Sequence, residues 1–295
     1  MSTLLELTGK EHISYSSFTT YLDCGEKFRL QRVFGIQGKP AYYLAGGTAV
    51  HVATETFDTL WVEHDRDWSE SLSAAVDSFR NSFEGSLAQR AGEQWLAGGK
   101  KTAANPGGED KTWWLSSGIR QVQQYAEWRR AFNARMPLWR TEGGVLAVEL
   151  PVDPILPGEV QLKGYIDRVF TYGEDTVVVD IKTSTREPAS HLQLGVYAIA
   201  LEREYGVRPR YGSYFMTRKG ELGNLFDLSS YREDILARHL RDFRKAVEAE
   251  LFMPHPTMLC GSCNVREFCY AVSPSADPRR DFDDDLNVTS HQENA

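Results

Sequence analysis

Apolar residues recur at helical spacing through the first 135 or so positions, and then the pattern changes to strand-like runs. From 13 to 36, Phe18, Tyr21, Leu22, Phe28 and Val33 fall on one side of a helix. Gly46-Gly47 precedes a second helix with Val50, Ala53, Phe57, Leu60 and Trp61 along its stripe. Asp67-Trp68-Ser69-Glu70 reads as the N-cap and capping box of a third helix, expected to reach about Trp95. The stretch from Gly98 to Asp110, rich in Gly, Lys, Asn and Pro, reads as an exposed loop. A fourth helix then runs from about Thr112 to Arg135. Val145–Val152, Val160–Tyr172 and Thr176–Lys182 read as strands, with Gly173-Glu174-Asp175 turning between the last two. A helix from about Pro188 to Tyr205 follows, closed by Gly206, with Leu192, Val196 and Ile199 on its apolar stripe. Residues 210–217 and 222–228 make a hairpin around Lys219-Gly220, and Ser230 with Glu233 opens a last helix to about Leu251. This order predicts an α/β fold: a mixed sheet flanked by helices, with residues 65–140 as a helical insertion. No internal repeat is visible.

The chemistry concentrates at the end of the third strand. Val177-Val178-Val179 is an unbroken apolar run, as expected of a central strand buried on both faces, and it ends in Asp180-Ile181-Lys182. Side chains alternate along a strand, so the Asp180 carboxylate and the Lys182 ammonium share a side. Burying them costs several kcal/mol unless each has a partner, and a metal ion or the other group would serve. Taken alone, Asp-x-Lys is equally compatible with a solvated surface ion pair. Gly164-Tyr165-Ile166-Asp167 puts a second carboxylate on the preceding strand. His51 and Glu55 lie one turn apart on the second helix, and Gln193 and Tyr197 one turn apart on the helix after the core strand.

Composition changes the picture little. Of 295 residues, 41% are hydrophobic and 25% charged, ordinary for a soluble globular protein. No apolar run approaches membrane-spanning length and no secretory signal is visible, so the expected compartment is the cytoplasm, without a membrane partner. The net charge of −8 argues against non-specific attraction to nucleic acid, though not against a local basic groove. Part of the excess lies in an acidic tail that includes Asp281, Asp283, Asp284 and Asp285 and reads as disordered. The cysteines are more telling. Cys260, Cys263 and Cys269 stand as C-x2-C-x5-C, the spacing of metal ligands rather than of disulfides, which leaves Cys24 as a fourth ligand from the far end of the chain. The spacing alone admits a four-cysteine zinc site equally well as an iron–sulfur cluster.

A helix histidine, G-x-x-D, D-x-K and Q-x-x-x-Y occur in this order at His51, Gly164–Asp167, Asp180–Lys182 and Gln193–Tyr197. The order resembles the PD-(D/E)xK nuclease superfamily, and within it the RecB-like exonuclease branch. One cysteine before the core and three after it resemble that branch's iron–sulfur subset, which includes CRISPR-associated RecB-like exonucleases and AddB-type nuclease domains. Ser14 to Cys24 also resembles the subset's opening, with one departure: Gly25 stands where the family usually has proline.

The resemblance implies a restriction-endonuclease-like core forming one nuclease domain over 1–273, followed by the tail 274–295. It implies a Mg2+ or Mn2+ ion held by Asp167, Asp180, the Ile181 carbonyl and His51, with Lys182 acting on the water and the phosphate, and Gln193 and Tyr197 positioning the strand or the lysine. It favours a 4Fe–4S cluster on Cys24, Cys260, Cys263 and Cys269, with the segment 254–270 clamped to the N-terminal helix. The implied activity is a metal-dependent DNA exonuclease acting on single strands or ends in recombination, repair or CRISPR adaptation. The competing reading is a non-catalytic DNA-end-binding adaptor, which would be expected to lose a member of the Asp–Asp–Lys set. No Walker A P-loop is present, so unwinding would need a helicase partner. Lys27, Arg29 and Arg32 are candidates for DNA contact, although a solvated helix face explains them as readily. Glu55 reads either as a partner of His51 or as a surface residue. Glu149 reads as a solvated strand position more readily than as part of the site.

Overall fold

In the computed structural model, residues 2–103 and 105–273 are described, so the acidic tail from 274 onward lies outside them. Helix α1 (Leu4–Thr8) is closed by a left-handed Gly9, and α2 (Tyr15–Asp23) starts at Ser14, whose hydroxyl accepts from Ser17 N. The single helix expected over 13–36 is broken. Cys24 is extended (φ −167°, ψ 111°), and a short α3 (Gly25–Phe28) then runs into a π-helical turn over Arg29–Val33. A Cβ on Gly25 would lie 2.8 Å from the backbone nitrogen of Met253, so close packing of two backbones, not turn chemistry, keeps a side chain away from this position.

The next helix starts earlier than Gly46-Gly47 led us to expect: α4 is Tyr42–Asp58. A Cβ on Gly46 would come within 2.1 Å of Trp114, so this glycine admits a tryptophan to the helix face instead of starting the helix. Helices α5 (Trp68–Gln89) and α6 (Lys111–Phe132) are capped by Asp67 and Asp110. The strands are β1 (Val148–Val152), β2 (Ile155–Leu156), β3 (Val160–Gln161), β4 (Gly164–Tyr172) and β5 (Asp175–Lys182). The strand expected over 160–172 is thus two pieces, the first pairing in a small hairpin with β2. Helix α7 (Leu192–Tyr205) ends at a left-handed Gly206, and β6 (Tyr211–Met216), β7 (Glu221–Leu222), β8 (Phe226–Asp227) and α8 (Glu233–Glu248) follow.

The chain divides into two compact units, where the sequence reading had one domain. The larger is 40–238. Its main sheet runs β1-β4-β5-β6-β7, with β8 also on β6. The β1–β4 and β4–β5 pairs are antiparallel and β5–β6 is parallel, so the sheet is mixed as expected. One face, with Phe170, Val177, Val179, Ile181 and Phe215, packs against Phe57, Phe79, Trp114 and Tyr125 of the helices α4 to α6. Residues 65–140 therefore supply much of the core's lid. On α7, Leu194 packs over Gly212 of β6.

The smaller unit comprises residues 1–39 and those from 239 onward. Its centre is aromatic: Phe18, Tyr21 and Phe28 each meet the Phe243 ring edge-on, with centroids 5.6, 5.1 and 5.5 Å away. Leu30, Val265 and Cys269 form a second, smaller cluster. Among the described residues, no helix is long and apolar enough to cross a membrane.

Candidate active site and cysteine cluster

Register alone brings two carboxylates together. Arg168 of β4 pairs with Val179 of β5, so the next step of the antiparallel ladder sets Asp167 across from Asp180. Both strands are interior, so the pair sits in the middle of the sheet. Asp167 Oδ2 accepts from the Ile181 amide at 2.7 Å, which ties the two strand ends together. Asp180 is 2% exposed. Lys182 Nζ lies 2.6 Å from Asp180 Oδ2, as alternation predicts, and the two form an ion pair. Burial, and then the charge of Asp167, push the Asp180 carboxyl up to about 7. Burial also raises Asp167.

Lys182 is held from its other side. Its Nζ donates to Gln193 Oε1 at 2.9 Å, and Gln193 Nε2 donates to the Tyr197 hydroxyl at 2.8 Å. The one-turn spacing on α7 thus becomes a relay that ends on the lysine. Burial and the nearby charges of Asp180 and Asp167 raise the Tyr197 phenol well above its usual range, so it stays neutral.

His51 completes the site from α4. Its Nδ1 lies 3.5 Å from Asp167 Oδ2 and 3.8 Å from Glu149 Oε1. Burial opposes a charge on the ring, but Asp167, Glu149 and Asp180 outweigh it and raise His51 to about 9. Burial likewise works against the Glu149 carboxylate, yet the nearby His51 ring and the Arg168 charge hold it below its ordinary value. Among the described residues, His51, Glu149 and Asp167 are the group whose donor atoms all lie within 4.8 Å of one another, close enough to share an ion.

Glu149 is the residue that sequence reasoning undervalued. Its backbone is left-handed (φ 45°), a strained conformation for glutamate, and no pattern of residue types announces such a kink. Glu55 is half-buried, and burial together with the Glu149 charge raises its carboxyl, so it sits near the site.

The site tests well for a hard divalent ion. Its donors are carboxylate oxygens and one imidazole, and those of His51, Glu149 and Asp167 converge within 4.8 Å of one another.

All four cysteines are free and belong to the smaller unit. Cys24 Sγ accepts from the His255 amide at 3.4 Å, and Cys260 Sγ from the Thr257 amide at 3.3 Å. Cys263 packs against the cluster that contains Cys269. Burial raises the Cys269 thiol, and Cys24 is near enough to add to the effect. No three of the four sulfurs come within single-ion distance of one another among the described residues, so the expected four-sulfur site is not drawn together.

The basic candidates divide. Arg29 is bound by Glu26 through Nε at 2.8 Å and Nη2 at 3.0 Å. Arg32 is exposed and, with Lys10, His12 and Ser14, lines a cavity of about 160 Å3. Lys27 is half-buried.

Two mycobacteriophage proteins resemble this chain along its length. The Gene 69 protein of Mycobacterium phage D29 is 28% identical over 277 residues, covering 87% of this chain and 95% of its own. The Gene 69 protein of Mycobacterium phage L5 is 27% identical over 286 residues, with the same coverage. The family model of the PD-(D/E)XK nuclease superfamily matches residues 12–270, an interval that holds every site residue above and all four cysteines. The chain belongs to the PD-(D/E)XK nuclease superfamily.

Proposed function

We propose that this member of the superfamily is a metal-dependent DNA exonuclease of the RecB-like branch, acting on single strands or DNA ends. The observation that carries the reading is the buried Asp180 carboxylate, paired with Lys182 at 2.6 Å and set across the ladder from Asp167. His51, Asp167, Asp180 and the Ile181 carbonyl would hold Mg2+ or Mn2+, and Glu149 joins them from β1. When bound, such an ion supplies Lewis acidity toward the phosphate and a nucleophilic water. The imidazole tilts the donor set toward Mn2+ relative to an all-oxygen site.

The side chains do the rest. Asp180 and Gln193 hold the Lys182 ammonium from two sides, so its charge is aimed where negative charge develops on the phosphate. Tyr197, kept neutral, fixes the Gln193 amide, whose oxygen then faces the lysine. A non-catalytic DNA-end adaptor would not need this relay, and the presence of Asp167, Asp180 and Lys182 in contact geometry favours the enzyme. With no P-loop in the sequence, duplex unwinding would come from a separate helicase or recombination partner. The test is cleavage of end-labelled single and double strands with Mg2+, Mn2+ or EDTA. Metal-dependent loss of the labelled end supports the reading, and DNA binding without cleavage in any metal supports the adaptor.

For the smaller unit we propose that Cys24, Cys260, Cys263 and Cys269 carry a 4Fe–4S cluster with a structural role. Two of the sulfurs already accept backbone amides. Anaerobically purified protein should contain iron and sulfide. One equivalent of zinc in colourless protein would replace the cluster with a zinc site.

A further inference from the structure

The nuclease reading uses the strand face that carries Asp167. The residue beside it, Arg168, points to the opposite face, is 0% exposed, and meets four elements. Its Nε donates to Asp58 Oδ2 at 2.7 Å and to the Tyr125 hydroxyl at 3.1 Å. Its Nη2 donates to Thr54 Oγ1 at 3.2 Å, and its Nη1 to Glu149 Oε1 at 3.3 Å and to the Asp167 carbonyl at 2.5 Å. All three guanidinium nitrogens are engaged, on α4, α6, β1 and β4 together.

Two of those partners lie on the helix that carries His51. His51, Thr54 and Asp58 stand at i, i+3 and i+7 of α4, on one face. The guanidinium therefore fastens the helix bearing the imidazole to the strand bearing Asp167, and takes hold of Glu149 as well. We infer that Arg168 is a positioning residue: it sets the spacing of His51, Asp167 and Glu149 as a donor group for a divalent ion, an inference that rests on the nuclease reading. A planar fork is required. Lysine offers one compact ammonium that cannot bridge Asp58, Thr54 and Glu149 at once.

Arg129 supplies the control. It shares the same carboxylate, with Nε donating to Asp58 Oδ1 at 3.0 Å, and is equally buried. Its other donations go to Asn133 Oδ1 and the Met136 carbonyl, not to Thr54, Glu149 or Asp167. A merely structural role predicts the same outcome for both arginines, and a positioning role does not.

The experiment measures Mn2+ binding by electron paramagnetic resonance on full-length, metal-free protein, beside thermal melts and cleavage of end-labelled DNA. Arg168→Lys should weaken Mn2+ binding about 10- to 100-fold, the usual cost of losing a group that orients ligands. Arg129→Lys should lower the melting temperature while keeping wild-type Mn2+ affinity. Thr54→Val removes the Nη2 bond at constant shape, together with the 3.0 Å bond that Thr54 Oγ1 donates to the His51 carbonyl within α4. It should weaken Mn2+ binding a few-fold, and it decides the matter if Arg168→Lys does not fold. Wild-type affinity in folded Arg168→Lys, wild-type affinity in Thr54→Val where the lysine variant does not fold, or an equal loss in Arg129→Lys, overturns the positioning role. Mn2+ binding by wild type without any cleavage overturns the nuclease reading alone, and the variant affinities still decide the role of Arg168.

Discussion

The carboxylate site and the cysteine segment both present ligand-type residues, but the protein prepares them to different degrees. In the larger unit the donors are already gathered. Asp167 is tied to the Ile181 amide, Lys182 is held between Asp180 and Gln193, and Glu149 and α4 are tied to a buried arginine. In the smaller unit, Cys260 lies within and Cys263 closes a short 3-10 turn (Met258–Ser262) whose Met258 and Leu259 are 99% and 76% exposed. The Cys24 and Cys260 sulfurs each accept one backbone amide. A sheet with a two-residue side-chain period places residues to within an ångström by backbone pairing alone. A 3-10 turn has no such ladder, so the spacing of its sulfurs would be set by a bound group. This difference predicts that mutations at the first site cost chemistry, and at the second cost folding.

The largest effects belong at the prepared site. Asp180→Ala should lose both Mn2+ binding and cleavage, because the ion is left with too few hard oxygens. Lys182→Ala should keep DNA and metal binding while slowing single-turnover cleavage about 10^2- to 10^3-fold, since its charge acts mainly in the transition state. Gel-shift affinity and single-turnover rates of the two variants separate these outcomes, and a wild-type rate from Lys182→Ala would remove the lysine from the mechanism.

Cys24→Ala should do the reverse. Iron and sulfide should fall to a small fraction of wild type, and the segment from 239 onward should become the first target of limited proteolysis. A variant that keeps its fold and loses only cleavage would mean that the cysteine segment serves chemistry and not folding.

The contrast also explains what was legible in advance. Asp-x-Lys on a buried strand, G-x-x-D on its neighbour and Q-x-x-x-Y on the next helix are placed by periodicity, and periodicity is visible in a sequence. The alternation of Asp180 and Lys182, the one-turn pairing of Gln193 with Tyr197, and the mixed sheet all appear where the pattern put them. Glu149 and Arg168 were not legible as site residues. Glu149 reaches the site through a left-handed backbone, and Arg168 acts through contacts with α4, α6 and β1 that no local pattern records. Element ends were misjudged for a related reason. Gly46 reads as a helix breaker in one dimension and is a slot for Trp114 in three. The break at Cys24 goes with a close approach of Gly25 to Met253, more than two hundred residues away in sequence.

A smaller effect follows from the charges gathered around the site. Asp180 is raised to about 7 and His51 to about 9, both above their ordinary values. A group whose folded value is raised contributes stability below its unfolded value and loses it as pH rises through the folded one. Metal-free protein should therefore lose stability through Asp180 between about pH 4 and 7, and through His51 between about pH 6.5 and 9. Mn2+ competes with those protons, so the rise in melting temperature on adding it should grow with pH. Melts at about pH 6, 7.5 and 9, with and without Mn2+, check this. A Mn2+ effect that shrinks as pH rises would mean the ion binds elsewhere.

The smallest effect concerns two arginines three residues apart. Arg29 is committed to Glu26, which is fully buried, so Arg29→Ala leaves a carboxyl without its partner. It should lower stability by about 1–3 kcal/mol. Arg32 is exposed and lines a cavity with Lys10 and His12, so it is the better placed of the pair to meet a phosphate. A single phosphate contact releases about one counterion, so Arg32→Ala should leave the melting temperature unchanged, weaken DNA binding equally for all sequences, and reduce the slope of log affinity against log salt by about 1. Binding titrations of both variants across a salt series read the slope directly. An unchanged slope in Arg32→Ala would place the DNA backbone away from this cavity, and a slope change in Arg29→Ala at unchanged stability would exchange the roles of the two residues.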